Sequence, residues 1–140
     1  MIIDKLLQVS NKQEVTDTAA STDVIDFGQV NPNTGMDDRT KMVVTVSDAA
    51  AAGGAATVTF AVQDSADGAT FNDVITFGPV GKDSLKAGAQ VVIPMPTKLR
   101  RYCRLNYVVA SGPLTAGKFS AQVVAGIQQN DPQPDSPRIA

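Results

Sequence analysis

RYCRLNYVVASGPLTAGKFSAQVVAGI, residues 101–127, decides the fold class. Over 101–109, Cys103, Leu105, Tyr107 and Val109 take alternate positions, and over 117–127 Phe119, Ala121, Val123, Ala125 and Ile127 do the same. Successive side chains of a strand point to opposite faces, so a period of two buries one face and leaves the other to solvent. Between the runs SGPLTAG supplies the turn, with glycine for unusual backbone angles and proline for a preset one.

The same periodicity recurs on the N-terminal side. In 56–63, Val58, Phe60 and Val62 share one face and Thr57, Thr59, Ala61 and Gln63 the other; in 40–47, Met42, Val44 and Val46 align. Residues 89–95 offer Val91, Ile93 and Met95, and the missing N–H groups of Pro94 and Pro96 put the end of that strand at a sheet edge or corner. Shorter candidates are 2–9, 23–27 and 71–77, the last with Phe71, Ile75 and Phe77 on one side and Val74 on the other. No long segment repeats apolar positions at helical spacing, and Gly53 and Gly54 make the alanine-rich 50–56 a loop. Eight or so short strands without intervening helices predict an all-β antiparallel sandwich or jelly roll, with the strand order left open.

At 140 residues the chain is one domain. The sandwich, with an extended N-terminal segment, is assigned to 1–127. Pro132, Pro134 and Pro137 make 128–140 an extended or disordered arm that could lie along another surface.

Composition excludes more than it selects. A net charge of -2 carries no footprint for nucleic acid, whose phosphates demand a clustered cationic excess. MIIDKLLQVS, residues 1–10, has no basic start and too short an apolar run for a signal peptide or a membrane span, so a soluble protein that is not secreted by that route is expected. With no histidine, the commonest general base and the commonest metal ligand are missing. The absence of Trp and an aromatic share of 5% leave few stacking platforms for sugars or single strands. No enzyme and no cofactor are expected. The single cysteine, Cys103, keeps apolar company and reads as a core residue rather than a nucleophile.

Two clusters invite functional readings. DSADGATFND, 64–73, brings Asp64, Asp67 and Asp73 together, a carboxylate set that could suit calcium. The spacing does not fit an EF-hand, and Asp67-Gly68 is better read as hairpin turn chemistry, so no metal is assigned. Lys98, Arg100, Arg101 and Arg104 form a basic cluster at the start of a strand; alternation would put Arg100, Tyr102 and Arg104 on one face and Arg101 on the other. It reads either as a solvated strand end or as a patch that grips acidic protein.

Three stretches, MIIDKLLQVSNKQEVTDTAASTDVIDFG at the start, VTFAVQDSADGATFNDV at 58–74 and RRYCRLNYVVASGPLTAGKFSAQVVAGIQ at 100–128, together resemble the cement, or decoration, proteins of tailed bacteriophages. The resemblance implies a jelly-roll protein without an active site, made in the bacterial host cytoplasm and located on the outer surface of the capsid. It implies binding to the major capsid protein and assembly as a homo-oligomer, dimer or trimer, with neither nucleic acid nor membrane as partner. On that reading residues 8–23, the 31–39 loop with Asp37, Asp38 and Arg39, and the Lys98–Arg104 region with Arg100 and Tyr102 face the capsid or a sister subunit. The rival expectation is a carbohydrate- or receptor-binding β-sandwich module holding a small ligand on one face or loop set.

Overall fold

A computed structural model describes residues 2–32 and 39–127. It contains β1 (Gln8–Glu14), β2 (Ala19–Ala20), β3 (Ile25–Asp26), β4 (Thr40–Ala51), β5 (Thr57–Ser65), β6 (Asn72–Gly81), β7 (Gln90–Pro94), β8 (Tyr102–Ala110) and β9 (Ala116–Ala125). One antiparallel sheet has the order β1-β9-β4-β7; the other has β2-β8-β5-β6, with β3 also paired to β8. The two sheets pack face to face as a β-sandwich, as the periodicity predicted.

β2 and β3 are two pieces of one edge strand. Ala19 and Ala20 pair with Tyr107 and Asn106, and Ile25 and Asp26 with Cys103 and Tyr102. Ser21 bridges the gap: its N–H donates to the Leu105 carbonyl at 2.7 Å and its hydroxyl accepts from the Leu105 N–H at 3.1 Å, replacing a backbone carbonyl of the ladder. With the two pieces counted as one, the strands run 1-8-3-6 in one sheet and 2-7-4-5 in the other. That is the double Greek key of a jelly roll. All connections between these eight strands except β5 to β6 pass from one sheet to the other, including the SGPLTAG turn.

The inward faces follow the predicted alternation. Met42, Val44 and Val46 of β4, with Phe119 and Ala121 of β9, lie buried opposite Val58, Phe60 and Val62 of β5 and Leu105 and Tyr107 of β8. At the centre Phe60 meets Tyr107 and Phe119 edge-on, with ring centroids 5.9 and 6.0 Å apart. The Tyr107 hydroxyl then crosses to β1 and donates to Ser10 Oγ at 2.9 Å. The Ser10 hydroxyl in turn donates to Gln13 Oε1, while Gln13 Nε2 donates to the Ala20 carbonyl and the Thr22 N–H to Gln13 Oε1. This polar chain stitches β1 to β2 and closes one side of the sandwich.

Three expectations are corrected. The strand predicted at 2–9 gives way to a 3-10 turn, Lys5–Leu7, because Asp4 Oδ1 accepts from the Leu6 N–H at 2.9 Å and starts the turn; pairing begins at Gln8. β4 runs past 47 to Ala51, into the alanine-rich stretch, because Ala51 still pairs with Ala116. Phe71 does not share a side with Ile75: it lies before β6, under Arg104, and the ladder slips by a residue at Val74.

Truncating Phe60 to alanine removes the ring that touches both sheets and should cost about 3–5 kcal/mol. Tyr107→Phe keeps the ring and loses only the bond to Ser10, so about 1 kcal/mol is expected. Urea unfolding of the two variants beside the parent checks the order, and an equal loss would contradict it.

Candidate interaction surface

One end of the sandwich gathers the starts of β1, β4 and β8 and the ends of β3, β5, β7 and β9. The pairs Thr40 with Ala125, Lys41 with Pro94, and Tyr102 with both Asp26 and Ser65 bring these termini together. Segments crossing this end are tied down by their backbones: the Phe27 N–H donates to the Arg101 carbonyl at 2.9 Å and the Met95 N–H to the Thr40 carbonyl at 3.2 Å. Between them opens a pocket of 240 Å³ with apolar walls from Leu7, Phe27, Pro32, Met95 and Val123, and with Gln29 and Thr40 as polar members. A wider cleft of 400 Å³ adjoins it across Pro32 and runs along Thr97–Arg100.

The family model Bbp16 matches residues 9–123, most of the chain. This protein belongs to the Bbp16 family. It is thereby a phage-associated protein. No curated protein matches the chain. The Bbp16 match runs from Val9 in β1 to Val123 in β9, so it spans the sandwich and starts after the Lys5–Leu7 turn.

In this Bbp16-family chain the basic cluster is largely spent within the fold. Asp64 continues the inward series of β5 and meets the chain just before β8. Arg100 donates to it from Nε (3.1 Å), Nη2 (2.7 Å) and its backbone N–H (3.0 Å), and Nη2 also reaches the Asp64 carbonyl. Burial works to raise the Asp64 carboxyl, but the Arg100 hydrogen bonds and charge outweigh it and hold the group below its usual range. Arg101 grips Asp26 with two bonds of 2.8 and 3.0 Å and lies 5.1 Å from the centre of the Tyr102 ring. Arg104 covers Phe71 at 3.9 Å and bonds Gln63, which in turn holds Asp73. Tyr102 and Arg104 do share the outer face of β8, whereas Arg100 turns inward to Asp64 because alternation stops where the strand begins.

Lys98 is exposed and makes no ion pair with any described residue. Arg39 stands at the foot of β4, its carbonyl accepting from the Gly126 N–H at 3.1 Å. Asp37 and Asp38 lie outside the described residues, as does the 128–140 arm.

The three acids of 64–73 have separate tasks. Asp67 Oδ1 accepts from the N–H groups of Thr70 and Ala69 and from the Ser65 hydroxyl, which pulls its pKa down to about 2. The β5–β6 connection it closes spans residues 66–71, longer than the two-residue hairpin that Asp67-Gly68 suggested, because the Asp67 side chain bonds backbone groups as far as Thr70. Gly68 takes φ +78° in that turn. Asp64 holds Arg100, and Asp73 accepts from Gln63. No group of three metal-ligating side chains converges among the described residues. Cys103 is buried, and burial together with the Asp64 charge pushes its thiol up to about 12, far from a reactive thiolate.

What sequence reading did not single out is the exposed apolar surface. Among the described residues the large exposed hydrophobics are Ile2, Ile3, Leu6, Val24 and Val30, all before residue 31, with Val74 and Phe77 on the β6 edge. Leu6 and Val24 share a hollow with the exposed ion pair of Lys5 and Asp23. The signal was present in IIDKLL, but 2–9 was read only as a short strand candidate.

Asp64 and Asp67 both have folded pKa values below the ordinary 3.8, so each contributes stability that is present above that value and is lost as pH falls through the folded pKa. For Asp67 the window runs from 3.8 down to about 2. Asp64→Asn should cost about 1–3 kcal/mol at neutral pH, where it strips charge from a set of hydrogen bonds. Unfolding midpoints measured from pH 7 down to pH 2 should show the variant and the parent converging in acid; a gap that stays constant would contradict the assignment.

Proposed function

We propose that this chain is a structural virion protein, a capsid cement or decoration protein that binds the outer surface of a phage head and stabilises contacts between capsomers through the major capsid protein. The observation that carries this reading is the concentration of exposed aliphatic side chains before residue 31, on a rigid jelly-roll body. A protein with no task beyond its own stability gains nothing by leaving Ile2, Leu6, Val24 and Val30 in water, whereas a surface that docks on a shell gains roughly 25 cal/mol for each Å² of apolar area it covers. Membership of the phage-associated Bbp16 family supports the setting.

The chemistry of the chain supports a non-enzymatic role. It has no histidine, its one thiol is held protonated, and the best-placed charges, Arg100 with Asp64 and Arg101 with Asp26, hold segments of the fold together. A cement protein needs many modest contacts repeated over a symmetric shell rather than one tight site, and repetition multiplies their effect.

Purified protein mixed with matching phage shells that lack it, and sedimented through a cushion, should bind saturably at a copy number fitting icosahedral symmetry and raise the shells' resistance to heat. Val24→Asp and Val30→Asp, at exposed positions where folding tolerates the change, should each weaken binding by about tenfold, near 1.4 kcal/mol. Failure of the parent protein to co-sediment with a matched shell would overturn the reading.

A further inference from the structure

We infer, resting on the capsid reading above, that the free edge of β6 takes an extended segment of the shell protein as an added strand. The two sides of the sandwich differ. The Tyr107–Ser10 and Gln13–Ala20 bonds set β1 over β2 and close one side. On the opposite side the sheets end in β6 and β7, and among the described residues nothing pairs with β6 beyond β5. Phe77 stands opposite Phe60, and opposite residues of an antiparallel pair share a face. Phe60 is fully buried, whereas Phe77, turned the same way, is 44% exposed because the sheet stops at its strand. Val74, 40% exposed, lies on the same strand, so every large exposed hydrophobic after residue 30 among the described residues belongs to β6.

An open edge presents a row of backbone N–H and C=O groups, and proteins usually blunt it with short strands, bulges, proline or charge. The other edges of this sandwich are blunted in those ways. β2 and β3 have two residues each, β1 slips register on either side of Ser10 and carries Lys12 and Glu14, and β7 has five residues and ends at Pro94. β6 has ten residues and no lysine or arginine, and its one charge, Asp73, accepts from Gln63 Nε2 at 2.7 Å. Pro79, which has no N–H, limits only its far end, so 72–77 remains as about 20 Å of open edge at ~3.3 Å per residue. Such a row is satisfied in register by another extended backbone and by no small ligand, which makes strand addition the mode of recognition. Ile75 and Phe77, two positions apart on the core side, select for apolar residues at alternate positions of the added segment. With no unpaired charge in 72–77 to answer, that segment is uncharged where it crosses them.

The test is amide hydrogen exchange of the full-length protein, read by mass spectrometry on peptides covering 72–77, free and bound to matched phage shells that lack it. Amides of this stretch that point away from β5 should exchange at least tenfold more slowly on the shell. Val74→Lys and Thr76→Lys place a cation on the edge at exposed positions, so both should melt with the parent and bind shells at least tenfold more weakly. Bound protein with unchanged exchange at 72–77, or lysine variants that bind as the parent does, would overturn strand addition and leave the capsid reading standing. Slower exchange that develops in concentrated protein without shells would assign the edge to a second copy and equally overturn it, and a parent that binds no matched shell would overturn both.

Discussion

The phenol of Tyr107 crosses the interior from one sheet to reach Ser10 on the other, and the rest of the sandwich is arranged around that bond and the rings beside it. Tyr107, Phe60 and Phe119 come from β8, β5 and β9, so the ring cluster takes members from both sheets and locks their relative position. Burial pushes the Tyr107 phenol up, while the bond to Ser10 acts in the opposite sense; the hydroxyl is a neutral donor that needs an acceptor on the far side. Ser10 and Gln13 supply the rest of that chain, which ends on backbone groups of Ala20 and Thr22. Tyr107, Ser10 and Gln13 are therefore satisfied by closing an edge that would otherwise stay open, while the Oε1 of buried Gln122 is left without a partner.

That closure explains the broken edge strand. Interruption at Ser21 lets the chain turn toward β1, where the Asp23 N–H donates to the Val9 carbonyl at 2.9 Å, while the Ser21 hydroxyl keeps the β8 ladder satisfied. A two-residue strand such as β2 is also a poor template for unwanted pairing, which protects this side of the sheet.

The inward faces of β4, β5, β8 and β9 were legible because alternation is a local property: each apolar residue is judged against its neighbours two positions away. Strand order was not, because adjacent runs of sequence enter different sheets; the turn between Tyr107 and Phe119 looks like any hairpin connection but carries the chain across the core. Asp64 shows the same limit at one residue. It continues the series Val58, Phe60, Val62, which marks it as inward, yet its charge made it look like part of the following loop; Arg100, 36 residues later, resolves the contradiction. At the N-terminus the apolar letters of 2–9 suggested a strand, and a side-chain bond from the Leu6 N–H to Asp4 makes a 3-10 turn there instead, with Leu6 exposed.

The consequence for recognition is a division of labour between charge and apolar surface. Long cationic side chains near a strand end usually suggest an electrostatic patch, but two of the four here form ion pairs with Asp64 and Asp26, and a third lies flat on Phe71. Such pairs fix the end of β3, the end of β5 and the start of β8, while offering little net field to a distant partner. Beyond those pairs, the described residues leave Lys98, the pocket and the exposed aliphatic side chains before residue 31 at the surface. A surface built this way gains its affinity at contact, from water released by apolar groups. Contact at such a surface is therefore selected by shape more than by long-range charge.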